Sequence, residues 1–339
     1  MQNETQTKIT IRDVAKRAGV SCATVSRVLN KLDRVSEETR QRVNAAIEEL
    51  SFTRSSVAAS MITGKTKTVL IMVPDFFIDF YGELLLGAHD VFQSSGYLPL
   101  AVATKDDPDV NLLDMLQRMS DFIDGALIIP ATDKIDTLSD FPKPIVIVDR
   151  STHNCPFDSV TFDNYQCSKD LTNLLLDRGH TKIALIASDS SMNVGHNRVM
   201  GYMDALQERG ITPDPKLIRR GAMARPTGYD NTISLMQSED PPTAIVAGSK
   251  LICIGCLQAL NDLKLQMGKD VSLVSVDEND LASCYNPGIT SAFTPRVEMG
   301  QQAAERLLTL LQSNQPLEPE HVVLPSSIYD RESIVDLTK

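Results

Sequence analysis

The first fifty residues contain three stretches in which apolar side chains recur at the spacing of a helix. They cover about residues 10–18, 21–29 and 36–50, and each begins with a Ser or Thr that can cap a helix. Thr10 opens the first stretch in a Thr-Ile-Arg-Asp capping box, and Gly19 ends it. The pattern predicts a helix-turn-helix with a turn of about three residues, and a third helix packed against both.

From Thr68 onward, short runs of β-branched and aliphatic residues alternate with amphipathic stretches. This alternation is typical of βαβ units, in which parallel strands form a sheet that helices cover on both faces. It predicts an α/β fold after the helical segment. The predicted strands cover residues 68–74, 98–103, 125–129, 144–148, 159–162, 182–187, 243–247, 271–276 and 289–294.

The composition is that of a globular protein with more than one domain. The chain has 339 residues, of which 42% are hydrophobic and 23% charged, and a domain takes about 100–200 residues. No apolar run approaches the roughly 20 residues of a membrane helix, and the first eight residues lack the apolar segment of a secretory signal. Six cysteines are too few for a disulfide scaffold. We therefore expect a cytoplasmic protein without a membrane partner.

The formal charge of −11 is unevenly distributed along the chain. Residues 1–62 contain ten Lys or Arg and seven Asp or Glu, a net charge of +3, and the remaining residues carry −14. A basic segment on an acidic body is expected when one small domain binds a polyanion such as nucleic acid. Because +3 over 62 residues is modest, the asymmetry alone also fits a chance distribution.

The segment DVAKRAGVSCATVSRVLN, from Asp13 to Asn30, and the segment RVSEETR that begins at Arg34 resemble the LacI/GalR family of transcriptional regulators. In that family the second helix lies in the major groove of DNA, and residues early in such a helix point at base edges. The resemblance places Cys22 and Ala23 at two variable base-reading positions. The residues expected to contact DNA in this region are Thr10, Ser21, Cys22, Ala23, Thr24, Ser26, Arg27, Asn30 and Arg34.

The side chains at positions 22 and 23 are small, which limits how they can read bases. Cys22 and Ala23 offer only apolar contact, for example to a thymine methyl group, so we expect more of the specificity to come from Arg27. Thr24 and Ser26 also fit a second interpretation, as solvated polar residues on the helix surface.

The family pattern continues with Gly-Tyr-x-Pro-Asn and a short hinge helix, from which this chain departs. Arg54 and Ser55 stand at the positions of the Pro and the Asn. The resemblance implies that Ser55, Ala58 and Met61 contact DNA, with Met61 as the apolar wedge that kinks the minor groove. A helix of two to three turns is marginal by itself, so we expect it to become ordered on DNA.

The resemblance extends over about residues 8–334 and includes the motifs Asp163-Asn164, Arg198-x-x-Gly201 and Arg331-Glu-Ser333. It implies two doubly wound parallel-sheet subdomains joined by three crossovers, like the periplasmic sugar-binding proteins. The expected divisions are a helix-turn-helix domain at 1–53, a hinge helix and linker at 54–66, an effector-binding and dimerisation domain at 67–339, an N-subdomain at about 67–162 and 293–324, and a C-subdomain at about 163–292 and 325–339.

A ligand in such a fold lies between the subdomains, at the carboxyl ends of the strands. Asp149, Arg150 and Asp277 follow predicted strands, and Arg198 is expected at the entry from a loop into a helix. The resemblance implies that Arg198 and Asp277 hold hydroxyls or other polar groups of the ligand, which suits a polyol. The expected effector-binding residues are Phe80, Tyr81, Asp149, Arg150, Arg198, Ser249 and Asp277.

Several of these residues also have a structural interpretation. Asp277 fits a turn at the end of a strand, and Arg150 fits an ion pair at the surface or between the subdomains. Phe80 and Tyr81 could stack on the face of a sugar, and core packing is the alternative for Phe80.

The chain departs from the family again after the predicted strand at 243–247. The family's Ala-Asn-Asp is Gly248-Ser249-Lys250 here, so a cation replaces an anion. This substitution suggests a phosphorylated or acidic ligand instead of a neutral sugar, or a lysine at the surface.

Other chemistry finds little support in the sequence. No Gly-x-Gly-x-x-Gly follows a strand, which argues against a dinucleotide cofactor. Cys253-x-x-Cys256 lies in a helical pattern with no second pair of ligands, so we expect core residues and no metal site. No nucleophile, base and acid form a recognisable motif. We expect no cofactor and no enzymatic activity.

The resemblance implies a sequence-specific regulator of transcription, a repressor of carbohydrate-related genes. It would bind a pseudo-palindromic operator in double-stranded DNA as a homodimer. A sugar or phosphorylated sugar would bind between the subdomains and control operator affinity. The alternatives are a regulator with a non-sugar corepressor, a solute-binding protein of transport, and an enzyme on a doubly wound fold.

Overall fold

A computed structural model of the chain describes residues 9–29, 35–52, 64–105, 107, 109–132, 134–151, 154–188, 193–278 and 280–339. The chain forms two compact units that divide between Thr66 and Lys67, and each is described by itself. Most of the predicted hinge helix and linker lies outside the described residues.

The N-terminal unit contains the three predicted helices: α1 (Ile11–Ala18), α2 (Cys22–Leu29) and α3 (Glu37–Glu49). The capping box of α1 is formed, because the Thr10 backbone N–H donates to Asp13 Oδ2 at 2.8 Å. Hydrogen bonds from Thr10 lower the pKa of Asp13. Gly19 ends α1 in the left-handed conformation, with φ of +66°. The small core consists of Val14, Ala15, Ala18, Val25, Val28, Val43 and Ala46.

The large unit contains two six-stranded sheets. Strands of the first are β1 (Thr68–Val73), β2 (Leu98–Ala103), β3 (Gly125–Ile128), β4 (Ile145–Val148), β5 (Asp158–Phe162) and β11 (His321–Leu324). Strands of the second are β6 (Ile183–Ser188), β7 (Ile218–Gly221), β8 (Ala244–Ala247), β9 (Ser272–Val276), β10 (Thr290–Phe293) and β12 (Ser327–Tyr329). Helices of this unit are α4 (Asp79–Ser94), α5 (Leu112–Met119), α6 (Asn164–Asp177), α7 (Asn193–Glu208), α8 (Arg225–Met236), α9 (Lys250–Asp262), α10 (Asp280–Cys284) and α11 (Arg296–Gln312).

The strand order shows two doubly wound halves. The first sheet is parallel with the order β11-β5-β4-β3-β1-β2, and the second has the order β12-β10-β9-β8-β6-β7, in which only β12 is antiparallel to its neighbour. The chain therefore passes between the sheets three times: after β5, after β10 and after β11. We call the sheets with their helices the first and second subdomains. The predicted fold class is confirmed.

All nine predicted strands are present, with bounds within one residue of those expected. Three more strands, β7, β11 and β12, escaped prediction. They lie at sheet edges and none is continuously buried, so they lack the apolar run by which a central parallel strand is identified.

Candidate functional site

Helix α2 presents the side chains that the sequence predicts to read DNA. Val25 and Val28 are buried on its inner side, whereas Cys22, Ala23 and Arg27 are exposed. Apolar spacing alone produces this division, since the buried valines are three residues apart. The exposed side of α2 thus offers an N-terminal end of small side chains and one guanidinium.

Ser21 and Thr24 have a local structural role at the start of α2. Ser21 Oγ accepts a hydrogen bond from the Thr24 backbone N–H at 3.1 Å and lies 2.9 Å from Thr24 Oγ1. Ser21 thus caps the helix and is exposed, while Thr24 lies in its first turn and is half-buried. Thr10 likewise belongs to the capping box of α1, and Ser26 is half-buried. The remaining predicted DNA contacts, at Asn30, Arg34, Ser55, Ala58 and Met61, lie outside the described residues.

The carboxyl ends of the strands in the two subdomains face each other across a cleft. Lys250, which follows β8, forms an ion pair with Asp79, which follows β1. Asp149 follows β4 and Asp277 follows β9, and both adopt the left-handed conformation, with φ of +64° and +79°. Asp tolerates this conformation better than most residues, so each strand ends in a sharp turn beside the cleft.

Arg150 serves as a support within the first subdomain. It is 8% exposed. Its Nη2 donates to the Tyr81 hydroxyl at 2.8 Å, its Nη1 lies 3.5 Å from the Pro130 carbonyl, and its Nε lies 3.7 Å from Asp149 Oδ2. These contacts join the ends of β3 and β4 to α4, and the contact with Asp149 lies neither at the surface nor between the subdomains.

The two predicted aromatic residues differ in what they can offer a ligand. Tyr81 is 4% exposed and belongs to the core, so its ring has no open face for stacking, in contrast to the prediction. Phe80 is half-buried and packs edge to face on Tyr81, with ring centroids 5.2 Å apart. The guanidinium of Arg296 lies 5.6 Å from the Phe80 ring centroid. Phe80 is therefore the candidate for stacking.

Arg198 is almost fully buried and contacts three other parts of the protein. It lies in the second turn of α7, a correction to the expected entry from a loop, and is 3% exposed. Its Nε donates to Asn164 Oδ1 at 2.8 Å, and its Nη1 donates to the Gly248 carbonyl. Its guanidinium also lies 5.7 Å from the Phe162 ring. Arg198 thus links the ends of β5 and β8 to the start of α6.

The glycine of the Arg198-x-x-Gly201 motif explains how Arg198 reaches this position. A Cβ at Gly201 would overlap the backbone carbonyl of Tyr165 in α6. Only glycine allows α7 to approach α6 so closely, and this approach brings Arg198 to Asn164, the first residue of α6.

Ser249 and Lys250 begin α9 at the edge of the cleft. Ser249 is buried, and its Oγ accepts from the Ile252 backbone N–H at 3.3 Å, so it caps the helix. The Lys250 ammonium donates to Asp79 Oδ2, and this hydrogen bond is the main reason that the pKa of Asp79 is lowered. Lys250 therefore binds a carboxylate of the protein itself.

Arg296 was not predicted as a site residue. Its Nη1 contacts Glu83 Oε1 at 2.8 Å, and its Nη2 donates to the backbone carbonyl of Glu278. Its Nε, together with Thr294 Oγ1 and Ser188 Oγ, is buried without a hydrogen-bond partner among the described residues. All three groups lie at or just beyond the carboxyl ends of strands, where a polar ligand could satisfy them.

A second group of residues outside the predicted site holds Glu278, the neighbour of Asp277. Arg331 contacts both carboxylate oxygens of Glu278, at 2.7 and 2.8 Å, and donates to the Ile289 carbonyl at 2.6 Å. The Glu278 backbone N–H donates to the Ala292 carbonyl at 2.8 Å. Glu278 is thereby fixed next to Asp277. Arg331 belongs to the motif Arg331-Glu-Ser333, as Asn164 belongs to Asp163-Asn164, but a motif does not show which residues its members contact.

A polar cavity adjoins Arg198. It has a volume of about 560 Å³, and Phe162 and Asn164, which both contact Arg198, form part of its lining. Hydroxyl and amide side chains dominate the rest of the lining, which suits hydrogen bonding to a neutral polar ligand. These side chains are Ser151, Asn154, Ser159, Thr161, Asn193 and Asn197.

Ion pairs neutralise several charges of the cleft. Three cationic side chains, Arg150, Lys250 and Arg296, form ion pairs with Asp149, Asp79 and Glu83, respectively. The protein thus compensates much of the charge of its own cleft.

The thiols of Cys253 and Cys256 are buried in α9, as expected of core residues. Burial raises the pKa of each thiol to about 12, which makes them poor nucleophiles and metal ligands. Within the described parts of the chain, no three His, Cys, Asp or Glu side chains are grouped as a metal would require. None of the described helices is both long and apolar enough to cross a membrane.

Comparisons with known proteins agree with this fold. A family model described as Bacterial regulatory proteins, lacI family matches residues 10–55, and one described as Periplasmic binding protein-like domain matches residues 172–334. The solved structure of a transcriptional regulator CelR–cellobiose complex has a TM-score of 0.71 and 27% identity, over 96% of this chain and 99% of that one. The lac repressor dimer bound to operator and the anti-inducer ONPF shares the fold, with a TM-score of 0.85 and 23% identity over 97% and 100% of the chains.

Two full-length relatives are also transcriptional regulators. The HTH-type transcriptional regulator RegA of Clostridium saccharobutylicum is 34% identical over 331 residues, which cover 96% of this chain and 99% of the relative. The HTH-type transcriptional repressor CytR of Escherichia coli (strain K12) is 30% identical over 336 residues, which cover 97% and 96%. These matches confirm the predicted resemblance and the expectation of a non-enzymatic protein. The chain belongs to the LacI family of DNA-binding transcriptional regulators, with a helix-turn-helix and a periplasmic-binding-protein-like effector domain.

Proposed function

We propose that this protein represses carbohydrate-related genes by binding a pseudo-palindromic operator as a homodimer, and that a neutral sugar in the cleft changes its affinity for that operator. The observation that carries the proposal is the buried guanidinium of Arg198. It lies between the ends of β5 and β8 and beside a polar cavity, where a ligand can act on both subdomains. A ligand bound there would change the free energy of DNA binding, typically by about 1–3 kcal/mol.

The exposed side of α2 supports binding to a base-paired groove. Arg27 supplies a bidentate donor for a guanine or a phosphate, while Cys22 and Ala23 allow close approach to a thymine methyl group. The predicted contacts outside the described residues, Ser55 and Met61 among them, would add minor-groove binding. An operator-binding protein acts where the DNA is, so we also retain the cytoplasm as its location.

An apolar surface on the first subdomain supports the homodimer. Strand β2 lies at the edge of its sheet, and none of its six residues is fully buried. Leu98 in β2 and Leu86 in α4 are 59% and 56% exposed, beside a groove of about 330 Å³ between helix and strand. A second copy of the chain would cover this surface, as two-fold symmetric operators require. The lac repressor of similar fold is a dimer on its operator.

The ion pairing of the cleft favours a neutral sugar over a phosphorylated one. Lys250, the residue that suggests an anionic ligand in the sequence, forms an ion pair with Asp79. A phosphate would have to replace that carboxylate, whereas hydroxyl groups can bond to the buried groups of Ser188, Thr294 and Arg296 without displacing any ion pair. Cellobiose is the ligand in the structure of the transcriptional regulator CelR, and ribose is bound in that of a LacI family regulator from Enterococcus faecium; both share this fold.

DNA binding is tested by gel shift with fragments of the region upstream of the protein's own gene, at two salt concentrations. We expect a sequence-preferring complex that weakens steeply with salt. The Arg27→Ala variant should lose the preference, and Arg118→Ala, an exposed arginine in α5, should retain it. A complex that is indifferent to sequence would refute the operator-binding proposal.

The effector class is tested by a thermal-shift screen of neutral and phosphorylated sugars with the full-length protein. We expect stabilisation by a neutral sugar, lost in Arg198→Ala. Stabilisation by phosphorylated sugars alone would replace the neutral-sugar proposal, and stabilisation only by compounds outside the sugars would favour a non-sugar corepressor.

A further inference from the structure

Two basic side chains hold the first two turns of α4: Lys250 from the second subdomain, and Arg296 from α11, which packs on α4 within the first subdomain. Lys250 donates to Asp79, the first residue of α4, and Arg296 contacts Glu83, four residues later. Positions four residues apart lie on one face of a helix, so both carboxylates point in the same direction. Arg296 also donates to the backbone carbonyl of Glu278 in the second subdomain. Protein groups alone therefore span the cleft twice, from Lys250 to Asp79 and from Arg296 to the Glu278 carbonyl.

The two contacts differ in how easily they can break. The Arg296 side chain is 5% exposed, and removing its partners would leave a buried charge. The Lys250 and Asp79 side chains are 29% and 57% exposed, so water and salt can reach them. The contact of Arg296 with Glu83 is therefore a fixed support, whereas the contact of Lys250 with Asp79 can open and close.

The charges of residues 250 and 79 decide the sign of their interaction. Lys250 and Asp79 attract each other, whereas two carboxylates at these positions would repel each other. Reversing one charge should therefore change the distance between the subdomains, because the two residues lie on opposite sides of the cleft.

We propose that Lys250 and Asp79 form an electrostatic latch, which favours the closed arrangement of the two subdomains before any effector binds. Its regulatory meaning rests on the proposed function, whereas the closure itself does not. An effector that prefers the closed arrangement would then bind with less reorganisation, since the binding-competent state is already populated.

The latch is tested by measuring the distance between the subdomains with spin labels. The labels are attached at Ser139→Cys and Glu239→Cys, exposed sites in the first and second subdomains, after Cys22 and Cys284 are replaced by Ser. Mixing with excess unlabelled protein leaves at most one labelled copy in any oligomer that forms. Neither DNA nor effector is present, so the result is independent of the proposed function.

We expect Lys250→Asp to shift the distance distribution toward an open population, with a fall of about five- to tenfold in the ratio of closed to open molecules. The double variant Asp79→Lys with Lys250→Asp should return the ratio to within about threefold of the original. The return is incomplete because a lysine in the first turn of α4 opposes the helix dipole.

The matched control is an ion pair of similar exposure inside one subdomain. Lys169 in α6 contacts Glu208 in α7 at 2.6 Å, with side chains that are 17% and 58% exposed. Lys169→Glu should change stability slightly and leave the distance distribution unchanged. If Lys250→Asp also leaves the distribution unchanged, or if the double variant stays open, there is no latch.

A salt titration of the labelled protein gives a second test that needs no charge reversal. Raising NaCl from 50 mM to 1 M should increase the open population, because the Debye length falls to about 3 Å. Lys250→Met should show an open population that no longer responds to salt. A distribution that is unaffected by salt in the parent protein would overturn the proposal.

Discussion

The DNA-reading helix and the effector cleft place their functional side chains in opposite environments. In α2 the residues that would meet DNA, such as Ala23 and Arg27, are exposed and project from one regular helix. In the cleft, Arg198 and Arg150 are 3% and 8% exposed and are held by other parts of the protein. A surface that slides along a polyanion has to stay hydrated and open. A site that senses a small molecule can bury its charges, provided that each finds a partner.

This difference predicts how each region responds to change. An exposed residue of α2 contributes mainly to the interaction with DNA, so replacing it should leave the fold intact. A buried residue of the cleft supports its neighbours as well as a ligand, so replacing it should affect binding and stability together.

Replacing Arg198 should have the largest effect. Arg198→Ala removes the donor to Asn164 Oδ1 and to the Gly248 carbonyl. We expect loss of the effector response, stability lower by about 1–3 kcal/mol, and operator affinity unchanged within about twofold. The checks are gel shifts with and without the sugar found in the screen, and urea unfolding.

Arg209→Ala, which removes an exposed ion pair with Asp177, is the matched control and should leave both properties unchanged. Normal effector affinity in Arg198→Ala would show that this guanidinium does not bind the ligand.

Replacing Arg27 should separate DNA binding from stability. Arg27→Ala should weaken operator binding by about 1–3 kcal/mol if the side chain reads a base, and the loss should be specific to one position of the operator. If it binds a phosphate instead, affinity should fall on all sequences and the salt slope should decrease by about one. Gel shifts over a range of salt decide between these two, and a variant with unaltered binding would remove Arg27 from the interface.

Acidification should weaken the large unit through His180. This ring is buried, with Nδ1 2.8 Å from Thr243 Oγ1 and Nε2 2.9 Å from the Val335 carbonyl, and burial lowers its pKa. The unfolded chain therefore binds more protons near pH 6.5 than the folded one, so stability falls as pH falls below that value, by at most about 1.4 kcal/mol per pH unit.

Urea unfolding of the parent protein and of His180→Gln, at pH 7.5 and 5.5, measures this difference. The variant should show the smaller change with pH. The N-terminal unit has no histidine in residues 1–66, so its unfolding should not share the effect. Equal pH dependence in both proteins would count against a role for His180.

Removing the cap of α2 should have the smallest effect. Ser21→Ala deletes the acceptor for the Thr24 backbone N–H and should lower the stability of the N-terminal unit by about 1 kcal/mol. Ser21→Asp keeps an acceptor and should restore most of that stability, although its charge would repel DNA. Circular dichroism melts report the stability, and equal melting of Ser21→Ala and the parent protein would contradict the capping role.

Prediction from sequence succeeded where short-range patterns decide the structure. The capping box at Thr10, the exposed end of α2 and the nine predicted strands all follow from residues within one helix or strand. Two local expectations differ from the structure. Arg198 lies within α7 and not at its entry, in a helix that Gly201 allows to pack closely on α6, and Tyr81 turns its ring into the core while its hydroxyl accepts from Arg150.

The sequence by itself determined the helix-turn-helix, the α/β class and the family, because periodicity, caps and a long motif are local properties of the chain. Only the tertiary structure decided how the charges of the cleft are paired. Lys250 meets Asp79 across 171 residues, and Arg296 meets Glu83 across 213. A lysine in place of an aspartate first suggested an anionic ligand. Its partner is a carboxylate of the same chain, which the winding of two sheets brings within reach.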